Sequence, residues 1–330
     1  MKRKLYLPLC TILCCLSSCY TDLNLEKYRP DPKVVLNSVV SPDTIVMASV
    51  SRTVFFPDPD KSNIGINDAD VDLYVNQTFY QKMKWTSDTS LVNKGMYTSS
   101  YTPKTGDHIK VVANTSLGTA WAEDILPELV PIEDIKISYI TTDDPLTTIV
   151  KPDGSMGYGY KHIITYSITF TDDAAMRNFY CIRIDNAPFT LDLIDYSRDP
   201  VFIAQQSIID GSASDNLIEG KGGRTFTDDL INGKTYTMTI REIVRTTSPD
   251  FIENRSRDFY LYALSESYYK YLTGVLNVED ESITGSLTDF GFAEPKYHFS
   301  NINGGVGILG TVQTSHQKIE FKDIFPEQRE

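Results

Sequence analysis

Apolar and polar residues alternate one for one through most of this chain. Val71, Leu73 and Val75 alternate with Asp70, Asp72 and Tyr74. Ile164, Tyr166, Ile168 and Phe170 alternate with Thr165, Ser167 and Thr169, and Tyr236, Met238 and Ile240 with Thr235, Thr237 and Thr239. Successive side chains of a strand point to opposite faces, so this period of two marks strands with one buried face. Further strands are expected at Val34–Val40, Thr44–Phe55, Gly95–Tyr101, His108–Ala113, Asn178–Ile184 and Phe259–Leu264. After a turn at Asn76-Gln77, Phe79, Met83 and Trp85 fall on one face with Gln81. That pattern predicts a hairpin with those apolar residues buried. Turn signals at Pro57-Asp58-Pro59-Asp60 and Thr105-Gly106-Asp107 separate the runs. The fold class expected is all-β. An immunoglobulin- or fibronectin-like sandwich covers residues 33–127, and Pro127 and Pro131 bracket a junction. A larger β-sandwich or barrel-like domain follows over residues 132–325, with a helical turn expected at Asp172–Arg177. It carries one short helix near 265–276, which Ser265 caps and in which Tyr268, Tyr271, Leu272, Val275 and Leu276 fall at helical spacing.

The first 18 residues have a different character. Lys2, Arg3 and Lys4 form a basic start, and Leu5 to Leu16 is an apolar run too short to span a bilayer. It ends in Leu16-Ser17-Ser18-Cys19, which resembles the lipobox of bacterial lipoproteins. The resemblance implies a signal peptide over 1–18 and a lipid on Cys19. Small residues ahead of the cysteine admit the peptidase, and the thiol supplies the thioether. More than one acyl chain is needed for stable anchoring. Residues 19–32, polar and carrying Pro30 and Pro32, read as a tether. Asp22 and Glu26 resemble the acidic surface-export signals of Bacteroidetes lipoproteins.

Charge narrows the partners. The net charge is −13, and losing the three leader cations takes it to −16. Such a surface offers no basic stripe to replace phosphate counterions, so no nucleic acid is expected. It also opposes electrostatic docking on anionic lipid, which leaves the covalent anchor as the route to a membrane. Four of five cysteines lie in the first 19 residues. The fifth, Cys181, cannot form an internal disulfide in the body and is expected as a half-buried core thiol rather than a nucleophile.

Each motif with chemical potential has a plainer counterpart. Gly305-Val306-Gly307-Ile308-Leu309-Gly310 matches G-x-G-x-x-G, but only 20 residues follow it in β-rich surroundings, so a dinucleotide site is not expected. Its glycines suit a tight turn or close packing against another element, and Asn301 suits a bond to nearby backbone. Asp58, Asp60, Asp68, Asp70 and Asp72 are weak calcium candidates. Counted from Asp68, the EF-hand glycine and glutamate positions hold Leu73 and Phe79, so the expectation is a solvated loop. His108, His162, His298 and His316 show no ligand spacing, and no zinc or other cofactor is expected. No G-x-S-x-G elbow occurs. The chain is not expected to be an enzyme, with a carboxylate-pair hydrolase as the open alternative. Gly154 to Tyr160 is expected as a flexible loop whose Tyr158 and Tyr160 are weak ligand-binding candidates. Trp85 and Trp121 are expected in the core.

The lipobox, Tyr-x-Pro-x-x-Gly at Tyr101–Gly106, the segment Ser267-Tyr268-Tyr269-Lys270-Tyr271-Leu272 and the tail from Phe299 to Gly310 together resemble the DUF4249 lipoproteins of Bacteroidetes. The resemblance covers nearly the whole mature chain and implies an outer-membrane lipoprotein, often encoded beside a TonB-dependent receptor. It carries over no catalytic residues. The function expected is a lipid-anchored binding protein, accessory to TonB-dependent uptake, with an unknown ligand. The alternative is a structural or adhesion lipoprotein that binds a protein or surface glycan.

Overall fold

The computed structural model describes residues 25–55, 58, 64–88, 90–91, 94–150, 154–185, 193–203, 216–218, 221–247, 255–279 and 299–324. The leader, Cys19, Asp60 and His298 lie outside them, as do the side chains of Val275 and Leu276. Seventeen strands are described: Val34–Val40 (β1), Met47–Arg52 (β2), Asp70–Val75 (β3), Thr78–Lys82 (β4), Lys84–Ser87 (β5), Gly95–Thr98 (β6), His108–Thr115 (β7), Gly118–Ile125 (β8), Asp134–Val150 (β9), Met156–Thr171 (β10), Phe179–Asp185 (β11), Leu193–Asp195 (β12), Asn216–Ile218 (β13), Lys221–Thr227 (β14), Thr235–Thr246 (β15), Ser256–Leu264 (β16) and Gly305–Glu320 (β17). The fold is all-β, built of open sheets rather than a closed barrel, and one helix, Glu266–Glu279, exceeds four residues among those described.

Three sheets make two layered halves. A nine-stranded sheet runs β13-β14-β11-β16-β17-β1-β2-β6-β5. The sheet β4-β3-β7-β8 pairs with it to close a first core around Leu36, Val50, Leu73, Ile109 and Val111. The sheet β12-β15-β10-β9 closes a second core around Tyr166, Phe170, Tyr180, Phe226 and Phe259. The alternating side chains supply these cores, and polar partners face outward.

The last strand belongs to both halves. Gly305–Thr311 of β17 pairs parallel with β1, from Val34↔Gly305 to Val40↔Thr311. Val312–Glu320 then pairs antiparallel with β16. Residues 305–311, which sequence order places in the second region, therefore complete the first core through Leu309. The glycines make this approach possible. A Cβ on Gly305 would stand 2.5 Å from the Val34 carbonyl oxygen, and one on Gly307, at φ +119°, 2.2 Å from that of Leu36. Asn301 clips the strand by accepting from the Leu309 amide at 3.0 Å and donating to the Leu309 carbonyl at 2.7 Å. The G-x-G-x-x-G run thus lies within a strand.

The connection between the halves is sewn to β17. Thr311 donates to the Ile125 carbonyl at 2.6 Å, Gln313 to that of Pro127 at 2.6 Å, and Gln317 to that of Ile132 at 2.7 Å, while Ser315 accepts from the Ile132 amide at 2.8 Å. Alternate side chains of one strand hold the junction backbone along its length.

The helix covers part of the outer face of the large sheet. Its Tyr268 and Leu272 pack over Phe179, Cys181, Tyr262, Leu264 and Val312. Cys181 is fully buried there rather than half-buried, and Gly310 leaves room for Tyr268. Three expectations are corrected. Phe79 is 51% exposed, because pairing passes from Leu73↔Gln81 to Tyr74↔Phe79, a bulge at Tyr80 that sets Phe79 on the outer face with its ring 5.7 Å from that of Tyr74. Trp121 lies on the outer face of its sheet with the Lys110 ammonium 4.1 Å above its ring, since Ala120 and Ala122 take the inward positions. Residues 172–178 form a turn rather than a helical one, braced by Asp172, which accepts from Tyr180 at 2.5 Å and from the Gly233 amide at 2.8 Å.

Candidate functional site

The segment expected as a flexible loop around Tyr158 is strand. Strands β9 and β10 form a long antiparallel hairpin, and β9 is an edge of its sheet. Strand β15 pairs with β10 only as far as Thr246↔Tyr160. Beyond Tyr160 the hairpin continues as a two-stranded ribbon.

An interruption near its end is a built feature. Pairing passes from Thr148↔Tyr158 to Asp144↔Gly159, so Pro145, Leu146 and Thr147 of β9 have no partner on β10. Proline cannot donate to a ladder and suits such a place on an edge strand. Buried Asp144 organises the bulge. Its carboxylate accepts from the Thr147 hydroxyl at 2.7 Å and the Leu146 amide at 3.3 Å, and it faces Arg245 of β15 at 3.3 Å. The Thr147 hydrogen bond, with help from that amide and the Arg245 charge, holds the carboxyl below its ordinary pKa. A Cβ on Gly159 would lie 2.5 Å from Thr147 and 2.6 Å from the Thr246 carbonyl oxygen, so glycine is required where the bulge folds across the ribbon.

The outcome is a set of apolar side chains held in solvent. Leu146 is 79% exposed, Val150 69%, Met156 68% and Ile140 65%. Tyr158 is also exposed, and Tyr160 is half-buried. A recess of about 460 Å³ opens among Asp143, Thr148, Met156, Gly157, Tyr158 and Tyr160. Bulges on edge strands re-aim side chains, and clustered exposed apolar residues mark interaction surfaces. Both tyrosines named from the sequence thus sit at the site, but on a braced ribbon. Leu146 and its support from Asp144 were missed, although Asp144-Pro145 is a sequence signal for a bulge.

Other candidates are dispersed. Asp58 is held by Arg29 and Asp70 by Lys82, and no three acidic, histidine or cysteine side chains gather as a metal would require among the described residues. His162 is buried between the hydroxyls of Thr141 and Thr246, each at 2.9 Å. His316 stacks on Tyr260 and meets Asp258 at 2.7 Å. A second, smaller recess of about 270 Å³ lies on the outer face of the first half, bounded by Tyr74, Gln77, His108, Lys110, Val112 and Glu123.

Fold and site together define an all-β protein of two sandwich-like halves sharing a strand, with an apolar ribbon at one end. The chain belongs to the DUF4249 family, a domain of unknown function, whose pattern matches residues 20–318 and so takes in both halves and nearly all of β17. A comparison with curated proteins finds no match. No helix among the described residues is long and apolar enough to cross a membrane.

Proposed function

We propose that this protein is a lipid-anchored binding protein of the outer membrane that grips a TonB-dependent receptor through the β9–β10 ribbon. The observation that carries the reading is the Asp144-braced bulge, which holds Leu146 in solvent on the same ribbon that exposes Val150, Met156 and Tyr158. Pre-organised apolar side chains at a strand edge gain contact area with little ordering cost, as an anchor residue does when it fills a partner's pocket. Position adds to the argument. The tether enters at Val34, opposite Gly305 at the start of β17, whereas β17 ends in the second half, about 50 Å along a 16-residue strand. Strand β16 begins at that far end and follows β15, whose last residue Thr246 lies opposite Tyr160. The ribbon therefore projects from the end remote from the tether. The receptor assignment draws on the DUF4249 resemblance, and the anchor on the Leu16–Cys19 motif.

The test is a pull-down from detergent-solubilised membranes with wild type, Cys19→Ala and Leu146→Asp. A large β-barrel receptor is expected with wild type and at least tenfold less with Leu146→Asp, as for loss of an anchor residue. Equal recovery with Leu146→Asp overturns the ribbon as the contact, and recovery of no membrane partner overturns the receptor reading. The smaller recess, with Tyr74 beside Lys110 and Glu123, favours a second reading, adhesion to a surface glycan.

A further inference from the structure

Residues 26–33, within and just after the expected tether, do not hang free of the body. Arg29 is gripped from two sides. Its guanidinium donates to both oxygens of Asp58, at 2.6 and 3.0 Å, and to both oxygens of Glu26, at 2.9 and 2.8 Å. Its carbon centre lies 4.6 Å above the Phe55 ring. Such forked pairs fix geometry as well as charge. Pro30 and Pro32 then form one wall of a recess of about 420 Å³ that Phe55 and Val306 also line. Lys33 and Thr53 exchange hydrogen bonds at its end, two of them at 2.9 Å. The segment expected as a tether is exposed but pinned to the body from Glu26 onward by these bonds.

Docking shortens the leash. From Cys19 to Glu26 is seven residues, a reach of about 25 Å at full extension; released to Lys33 the reach doubles to about 50 Å. The charges at this end permit contact with a bilayer. Arg29, Lys33 and Arg52 are balanced there by Asp31, Asp58 and the Glu26 that Arg29 also grips, so this end is near neutral on a chain whose net charge is −13. Anionic headgroups repel an acidic surface, and an end whose charges balance can approach them.

We infer that the tether-bearing end of the first half rests against the lipid headgroups, held there by the Arg29 clasp, so that the body stands on the membrane in one orientation. The inference rests on the anchoring reading above and adds the stand-off and the membrane-facing surface. The turn between β7 and β8 lies at the same end, since Thr119 packs on Gly304, and its exposed Ser116 is a place for a reporter.

The test uses the full lipidated chain in vesicles of phosphatidylethanolamine and phosphatidylglycerol carrying an energy-transfer acceptor on the headgroups. Donor dye is placed on Ser116→Cys or, at the far ribbon, on Val150→Cys; buried Cys181 stays unlabelled. Strong transfer is expected from Ser116 and little from Val150. Combining Arg29→Ala with Asp58→Ala is expected to lower the Ser116 signal about twofold or more, because the reach doubles. Equal transfer from the two sites, or an Ser116 signal indifferent to the clasp substitutions, overturns the inference. A separate measurement on unlipidated protein isolates the clasp: trypsin is expected to cut after Lys27 about tenfold faster in Arg29→Ala, as for release of a locally ordered segment. Unchanged cutting removes the clasp. If mass spectrometry finds no lipid on Cys19, the anchoring reading falls and this inference with it, whatever trypsin reports.

Discussion

Two buried groups set clear expectations for single residues. Glu242 and Arg257 are both fully buried in the second core and paired, with the Nε of Arg257 donating to Glu242 at 2.9 Å and the Tyr166 hydroxyl donating to the same carboxylate. Replacing one member of such a pair leaves a charge without its partner in low dielectric. Arg257→Ala is therefore expected to cost about 3–5 kcal/mol. Tyr166→Phe, Glu242→Leu and Arg257→Met together are expected to cost much less than the single change, because no buried charge remains. Urea melts of the two variants decide it; equal losses would mean that packing, not charge, governs the site. Asp124 gives a pH dependence. It accepts from Ser265 at 2.5 Å, and Ser265 also accepts from the Tyr268 amide at the start of the helix. Burial raises the Asp124 carboxyl to about 6, against the lowering effect of the Ser265 bond and of nearby His108. The folded chain thus keeps this proton to higher pH than the unfolded chain, whose carboxyl titrates near 4. The associated stability is full below about 4 and is lost as pH rises through about 6. Asp124→Asn has no such titration. Relative to wild type its melting temperature is expected to rise between pH 4 and 7, by an amount worth roughly 1–3 kcal/mol. A constant difference across that range would refute the assignment.

At the scale of elements, legibility followed the reach of the signal. Strands β1 and β3 matched their expected bounds, Val34–Val40 and Asp70–Val75, and β16 came close, because a buried face imposes alternation on neighbouring residues. The helix after Ser265 was legible for a similar reason: the cap and the spacing of Tyr268 and Leu272 are local. Strand β9 was not, since an edge strand with Pro145 and a mostly exposed face lacks the pattern that burial imposes. Its absence turned the Tyr158 ribbon into an expected loop. Phe79 failed differently, because an apparently continuous alternation hides the bulge at Tyr80, which flips Phe79 out of phase with Gln81 and Met83. The tail glycines were read correctly as close-packing positions, but not what they pack against. The partner of Gly305 is Val34, 271 residues away, and no local pattern encodes that distance. Glu242 and Arg257 carried a legible signal that went unread. Each occupies an inward position of its strand, in step with Ile240 and Val244 or with Phe259 and Leu261.

For the whole molecule, the shared strand decides how the protein unfolds. Two sandwiches joined by a flexible linker would melt independently, and the first, residues 33–127, would fold alone. Here that fragment lacks Leu309 and the neighbour of β1, which leaves both core apolar surface and the parallel edge of β1 open. The junction adds polar coupling, since Thr311, Gln313, Ser315 and Gln317 of β17 hold the backbone at Ile125, Pro127 and Ile132. Loss of β17 from either half also strips the hydrogen bonds that fix the other. The chain from residue 20 is therefore expected to unfold in one calorimetric transition with matching calorimetric and van't Hoff enthalpies. Ending the chain at residue 304 is expected to abolish folding of both halves rather than of the second alone, with loss of sharp methyl resonances from Leu73 and Ile109 in the first core as the readout. Two separate transitions, or a first half that keeps its dispersion without β17, would show that the halves are autonomous. The same coupling bears on the proposed function: under that proposal, a pull on the ribbon is carried along β17 to the end where Val34 pairs with Gly305. The binding and attachment proposed for opposite ends would then be joined by a single continuous strand.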